Sequence, residues 1–222
     1  MIRTPVRVLI ADLQRLFARS LAILLNGEGK FQAIDEDVSS GLETLKAVAG
    51  VASPCDLVIL DYWIRGMTGP ATTRALLRFS EPPKVVLMGS FHTPSEVNEA
   101  FAAGASAFVS KTVGFPTLLE VLEGVAAGRS GLYAPDAGRP IQEIEVPAGA
   151  PDEVVERLAT LTLREIEVLS LLSFAPVEKV AKILAISLGT LRNHIYNILR
   201  KTDARSQIEA IDIARRQGLI DG

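Results

Sequence analysis

SLGTLRNHIYNILRK (187–201) reads as one helix. Ser187 is a good N-cap, because its hydroxyl can accept from a free N–H of the first turn. Leu188, Leu191, Ile195 and the Ile198/Leu199 pair recur at helical spacing and form an apolar stripe. The other face carries Arg192, Asn193, Tyr196, Arg200 and Lys201, and the helix has no acidic residue. An ordinary solvated face mixes signs. A face of cations and amides suits phosphates and base edges instead.

The flanking sequence gives this helix a context. Upstream, TLRE (162–165) is a capping box that starts a helix whose buried face is expected to be Ile166, Leu169, Leu171, Leu172 and Phe174. Pro176 suits the first turn of a second helix, 177–184, and a short break at 185–186 leads to the Ser187 cap. Downstream, 205–217 forms a last helix closed by Gly218. Two short helices joined by a tight turn, the second with the cationic face, make a helix-turn-helix. In that setting Arg192, Asn193 and Tyr196 are the expected base-edge contacts, since Arg suits guanine and Asn adenine. Lys179, Thr190, Arg200 and Lys201 are expected at phosphates. His194 reads as a packed histidine rather than a metal ligand, because the only other histidine is His92.

The N-terminal half has a different rhythm. Apolar strands are expected at 6–11, 31–35, 56–60, 84–88 and 106–109, and helices at 13–25, 41–49, 71–79, 96–103 and 115–127. Five strand–helix units in succession imply a parallel sheet covered on both faces. In such sheets chemistry collects at the carboxyl ends of the strands, where Asp12, Asp61, Gly89, Ser90 and Lys111 stand. Two carboxylates and an ammonium there could bind a divalent cation such as magnesium or accept a phosphoryl group. Between the halves, residues 129–155 are rich in Gly, Pro and acids and read as a linker, with no core strand assigned to IQEIEV (141–146). The expected domains are therefore 1–128 and 156–222.

Composition agrees with two packed units. The chain has 222 residues, 48% of them hydrophobic and 22% charged. The net charge of −3 is unevenly spread: residues 1–128 carry 11 basic and 13 acidic side chains, 129–155 carry 2 and 5, and 156–222 carry 10 and 8. Only the last block is net positive. The one cysteine, Cys55, precludes an internal disulfide, reads as a small semi-buried filler, and fits a reducing compartment. No apolar run approaches membrane-spanning length, so a cytoplasmic protein is expected. No Gly-rich phosphate loop, metal-spaced His/Cys set or nucleophile–base pair is present, so no enzyme is expected. The acidic run 35–37 reads as a solvated loop.

The order of parts resembles the NarL/FixJ family of bacterial response regulators, which join a receiver domain to a LuxR-type helix-turn-helix. LTLREIEVLSLL (161–172) and GTLRNHIYNILRK (189–201) carry the resemblance at one end; VRVLIAD (6–12), DLVILDYWIRGMTG (56–69) and AFAAGASAFVSK (100–111) carry it at the other. It implies a flavodoxin-like doubly wound receiver of five parallel strands, then a small all-α domain. It also implies double-stranded DNA as partner and a homodimer, with part of Ile208, Ile211, Ile213 and Ala214 at the interface. By resemblance, Asp61 falls on the phosphoryl-accepting aspartate, Lys111 on the family's lysine, and Asp12 on the first of its acidic pair.

The sequence departs from that pattern at several positions. The second acid is Leu13, the switch hydroxyl is Gly89 with Ser90 adjacent, and a loop proline is Arg65; the aromatic switch position is Phe108. Losing a carboxylate lowers the affinity expected for magnesium, which relies on oxygen ligands. The favoured expectation is a DNA-binding regulator controlled without phosphorylation, through dimerisation, a partner or a small-molecule ligand. Asp61 and Lys111 would then be a structural ion pair, Trp63 would cover the site mouth, and Arg65 could fold over the acids. The alternatives are a conventional regulator phosphorylated on Asp61 by a histidine kinase, and a ligand- or protein-binding module without DNA.

Overall fold

The computed structural model describes residues 5–34, 36–50, 54–90, 92–136, 138–144, 157–158 and 160–220. The first five strand–helix units are β1 (Val6–Ala11), α1 (Arg15–Gly27), β2 (Phe31–Ala33), α2 (Gly41–Gly50), β3 (Leu57–Asp61), α3 (Gly69–Leu76), β4 (Lys84–Gly89), α4 (Pro94–Ala102), β5 (Ala107–Ser110) and α5 (Phe115–Ala126). Two helices start earlier than apolar periodicity suggests. Thr68 caps α3 by accepting from Ala71 N–H, and Thr93 caps α4 in a reciprocal capping box with Glu96. Both have proline in the first turn, where the missing N–H costs nothing.

The five strands pair in parallel in the order β2-β1-β3-β4-β5. Alternate residues face opposite sides. Val8, Ile10, Leu57, Ile59, Val86 and Met88 pack with α1 and α5, whereas Leu9, Val58, Leu60, Val85, Leu87 and Phe108 pack toward α2, α3 and α4. Near-continuous apolar strands are what two covered faces require.

The sheet does not stop at five strands. Part of the stretch read as a linker forms β6 (Leu132–Ala134) and β7 (Gln142–Glu143). β6 pairs in parallel with β5 through Ala107↔Leu132, Phe108↔Tyr133 and Val109↔Ala134, and β7 pairs antiparallel with β6. Leu132 and Ala134 are fully buried, so Leu132–Ala134 and Gln142–Glu143 belong to the sheet rather than to the linker expected over 129–155. The rest of the expected linker, from 145 on, lies outside the described residues.

The C-terminal helices are α6 (Leu163–Leu172), α7 (Val177–Ile183), α8 (Leu188–Thr202) and α9 (Gln207–Arg216). Thr162 and Glu165 form the expected capping box of α6. Ala185, at φ 53°, turns the chain between α7 and α8, and Ser187 caps α8 by accepting from Thr190 N–H. The buried stripe of α8 is Leu191, Ile198 and Thr202, with Ile195 half-buried; Leu188 is exposed, in contrast to expectation. Phe174 is also exposed, because α6 ends at Leu172 and Phe174 lies beyond its stripe.

The helical domain docks on the receiver-side layer of α2 and α3, and one apolar cluster runs through both. Leu158, Leu161, Ile166 and Leu219 meet Ala71 and Ala75 there. Lys46 on α2 pairs with Glu167 on α6 at 2.7 Å. The Thr68 N–H donates to the Gly218 carbonyl oxygen at 2.7 Å.

Candidate functional site

Asp12 follows β1, Asp61 ends β3 and Lys111 follows β5, so three parallel strands deliver three ionisable groups to one sheet edge. The Lys111 ammonium lies 2.6 Å from Asp12 Oδ2 and 3.0 Å from Asp61 Oδ2. All three side chains are nearly buried. The Gln14 N–H donates to Asp12 Oδ1, the Trp63 N–H to Asp61 Oδ1, and the Phe17 ring lies under the ammonium at 5.1 Å. Burial pushes the Asp12 carboxyl above the ordinary carboxylate range, and the Asp61 charge adds to this; Lys111 and the Gln14 N–H oppose it without cancelling it.

The neighbouring positions carry little oxygen chemistry. Leu13 is half-exposed and apolar, Gly89 ends β4, and the Ser90 side chain is exposed. Asp12 and Asp61 thus share one ammonium, and Leu13 adds no oxygen donor beside them. Among the described residues no group of three or more His, Cys, Asp or Glu side chains forms a metal site. Arg65 does not fold over the acids: it is exposed, and Lys111 supplies the positive charge between them. Trp63 follows directly after Tyr62 in the loop that leaves β3. It is 59% exposed and leans edge-on against Tyr62.

Phe108, at the aromatic switch position, is fully buried. It packs edge-on to Tyr62 and against the ring of His92, 5.0 Å away. His92 Nε2 is 2.8 Å from the Tyr133 hydroxyl on β6. The Tyr62 hydroxyl donates to Glu99 Oε2, and burial together with that carboxylate pushes its pKa well up. Sequence reading passed over this aromatic column, since its members come from four separate segments. Cys55 is buried, its thiol beside the Leu57 carbonyl, and burial pushes it up to about 11.

In the C-terminal domain Lys179, Thr190, Arg192, Asn193, Tyr196 and Arg200 are all exposed. Arg192, Asn193 and Tyr196 share the outward side of α8, opposite Leu191 and Ile198. The docked receiver leaves this side open. Thr190 sits at the N-terminus of α8, where free N–H groups and the helix dipole favour an anion. Lys201, expected at a phosphate, is instead engaged within its own domain. Its ammonium is held by Glu165 Oε2 at 2.6 Å and the Thr160 carbonyl at 3.0 Å, which turns it into the bundle and away from a phosphate. Glu165 is buried, which pushes its carboxyl up, but Lys201 and the Thr162 N–H and hydroxyl outweigh this and leave it below the usual range. His194 is half-buried.

Comparison with known proteins matches both parts. Residues 8–123 match the response regulator receiver domain family, and residues 159–214 match the bacterial regulatory proteins of the luxR family. The transcriptional activator ExaE of Pseudomonas putida is 33% identical over 215 residues, covering 96% of this chain and 97% of that protein. LiaR of Bacillus subtilis, a transcriptional regulatory protein, is 27% identical over 97% of this chain and 100% of its own length. Among solved structures, the receiver domain of NarL from Mycobacterium tuberculosis is 26% identical, covering 57% of this chain and 100% of that one with a TM-score of 0.50. RcsB of Salmonella typhimurium covers 95% of this chain and 98% of its own at 17% identity and a TM-score of 0.51, a likeness of fold. With a receiver and a luxR-type helix-turn-helix matched in that order, the chain belongs to the NarL/LuxR family of response regulators, DNA-binding transcription factors rather than enzymes.

Proposed function

We propose that this transcription factor acts as a cytoplasmic homodimer that reads duplex DNA through Arg192, Asn193 and Tyr196, and that its receiver is set by a ligand or partner rather than by phosphorylation of Asp61. The observation that carries the second part is the leucine at 13, which adds no oxygen donor beside Asp12, together with Gly89, which has no hydroxyl at the end of β4. An arriving phosphoryl group would find one carboxylate fewer to hold a metal ion for it, and no hydroxyl on Gly89 to follow it. Paired α8 helices would enter successive major grooves about one helical turn apart. Lys179, Thr190 and Arg200 would hold phosphates.

The phosphorylation question is decided by intact mass after incubation with acetyl phosphate and magnesium. The proposal expects no gain. A phosphate-sized gain abolished by Asp61→Asn would establish the conventional reading, in which a histidine kinase acts on a retained aspartate. That second reading draws its support from Asp61 still standing at the strand end beside Lys111.

A further inference from the structure

A cavity of about 400 Å³ lies between the loop after β3 and the C-terminal end of α9. Small-molecule sites span roughly 300–1,000 Å³, so the volume suits a compact ligand. Leu13, Trp63 and Ile220 give it apolar wall. Leu13 and Trp63 are among the exposed large hydrophobic side chains of the described residues, surface that water leaves costly. Arg65 and Arg215 line the same space, and among the described residues no acid does. Arg215 also donates to the Ser173 carbonyl, which braces it against α6.

Guanidinium groups grip carboxylate, sulfonate or phosphate oxygens in pairs, and an indole face accepts an aromatic or aliphatic body. We propose that this cavity binds a small organic anion with an apolar, preferably aromatic, body. Thr68 and Gly218 also line it. These two residues are hydrogen-bonded across the domain junction. A ligand seated there touches both domains at the point where they are joined, next to the acidic pocket. The inference gives the phosphorylation-independent control a ligand class and rests on that reading only for its regulatory meaning.

The chain has a single tryptophan, Trp63, in the cavity wall, so all indole emission starts from this place, and the substitutions below tie the signal to the cavity. The probe is 8-anilino-1-naphthalenesulfonate, an aromatic sulfonate that absorbs where indole emits, titrated into the full chain. Saturable energy transfer from Trp63 is expected, with displacement by benzoate and not by inorganic phosphate. Arg65→Ala, an exposed position, should weaken the probe by about tenfold, the value of one charge-assisted contact. Leu13→Ser should weaken it too. Absence of saturable transfer overturns the proposal, as does transfer indifferent to both substitutions or displaced equally well by phosphate. This titration reads binding alone, so it can fail while the mass test on Asp61 stands, and the reverse.

Discussion

Thr68 and Gly218 meet across the domain junction. The Thr68 N–H donates to the Gly218 carbonyl, while the Thr68 hydroxyl accepts from Ala71 N–H to start α3. Gly218 holds φ +64°, and a Cβ on it would lie 2.6 Å from Thr68 Cγ2. The loop that leaves Asp61 is thus bonded directly to the end of the DNA-binding domain.

Gly218→Ala should open this junction. The left-handed backbone costs a side chain about 1–2 kcal/mol, and the contact with Thr68 adds to that. Small-angle scattering should show a larger radius of gyration, while circular dichroism shows both domains still folded. An unchanged radius would mean that the junction is held mainly by Lys46–Glu167 and the apolar contacts.

Lys111→Met should destabilise the receiver by about 3–5 kcal/mol at neutral pH, because it strands two buried carboxylates. Asp12→Asn in the same chain should recover part of the loss. Denaturant midpoints of the single and double variants measure this.

Asp12 and Glu165 should respond to pH with opposite sign. Asp12 has a raised pKa in the folded chain, so its contribution favours folding in acid and is lost as pH rises through the folded value. Glu165 has a lowered one, so its contribution is present above the ordinary value near 4.5 and is lost as pH falls through the folded value. Glu165→Gln should flatten the acid limb of C-terminal unfolding, and Asp12→Asn should raise receiver stability at neutral pH relative to acid. Tm against pH for each variant tests both signs.

Arg192→Ala and Tyr196→Ala should each weaken binding to a cognate promoter by about 1–3 kcal/mol. Lys179→Ala should weaken all sequences alike and lower the salt slope by about one. Lys201→Met should leave that slope unchanged while lowering helical-domain stability by about 2–4 kcal/mol, because Glu165 loses its partner. Gel shifts across a salt series separate the three effects.

Most elements were legible because their signals are local. Val6–Ala11 and Leu57–Asp61 are continuous apolar runs ending in acids, and Thr162 with Glu165 spells its own cap. What escaped depends on partners distant in sequence. β6 has only Leu132, Tyr133 and Ala134 to announce it, and it exists because β5 offers an edge. Lys201 looked like a phosphate contact because it shares a helix with Arg200; only the folded bundle brings Glu165 to it. Strand ends alone bring Asp12, Asp61 and Lys111 together, but the exposed position of Arg65 was not legible from them.

The rims of the sheet have a further consequence. One rim is β2, three residues long, and the other is β7, two residues whose Glu143 is tied to Arg129. Among the described residues neither offers a length of open backbone onto which a neighbouring molecule could stitch itself. Edges this short leave side-chain surfaces, which a single substitution can strengthen or abolish, as the means by which copies of the described fold would pair.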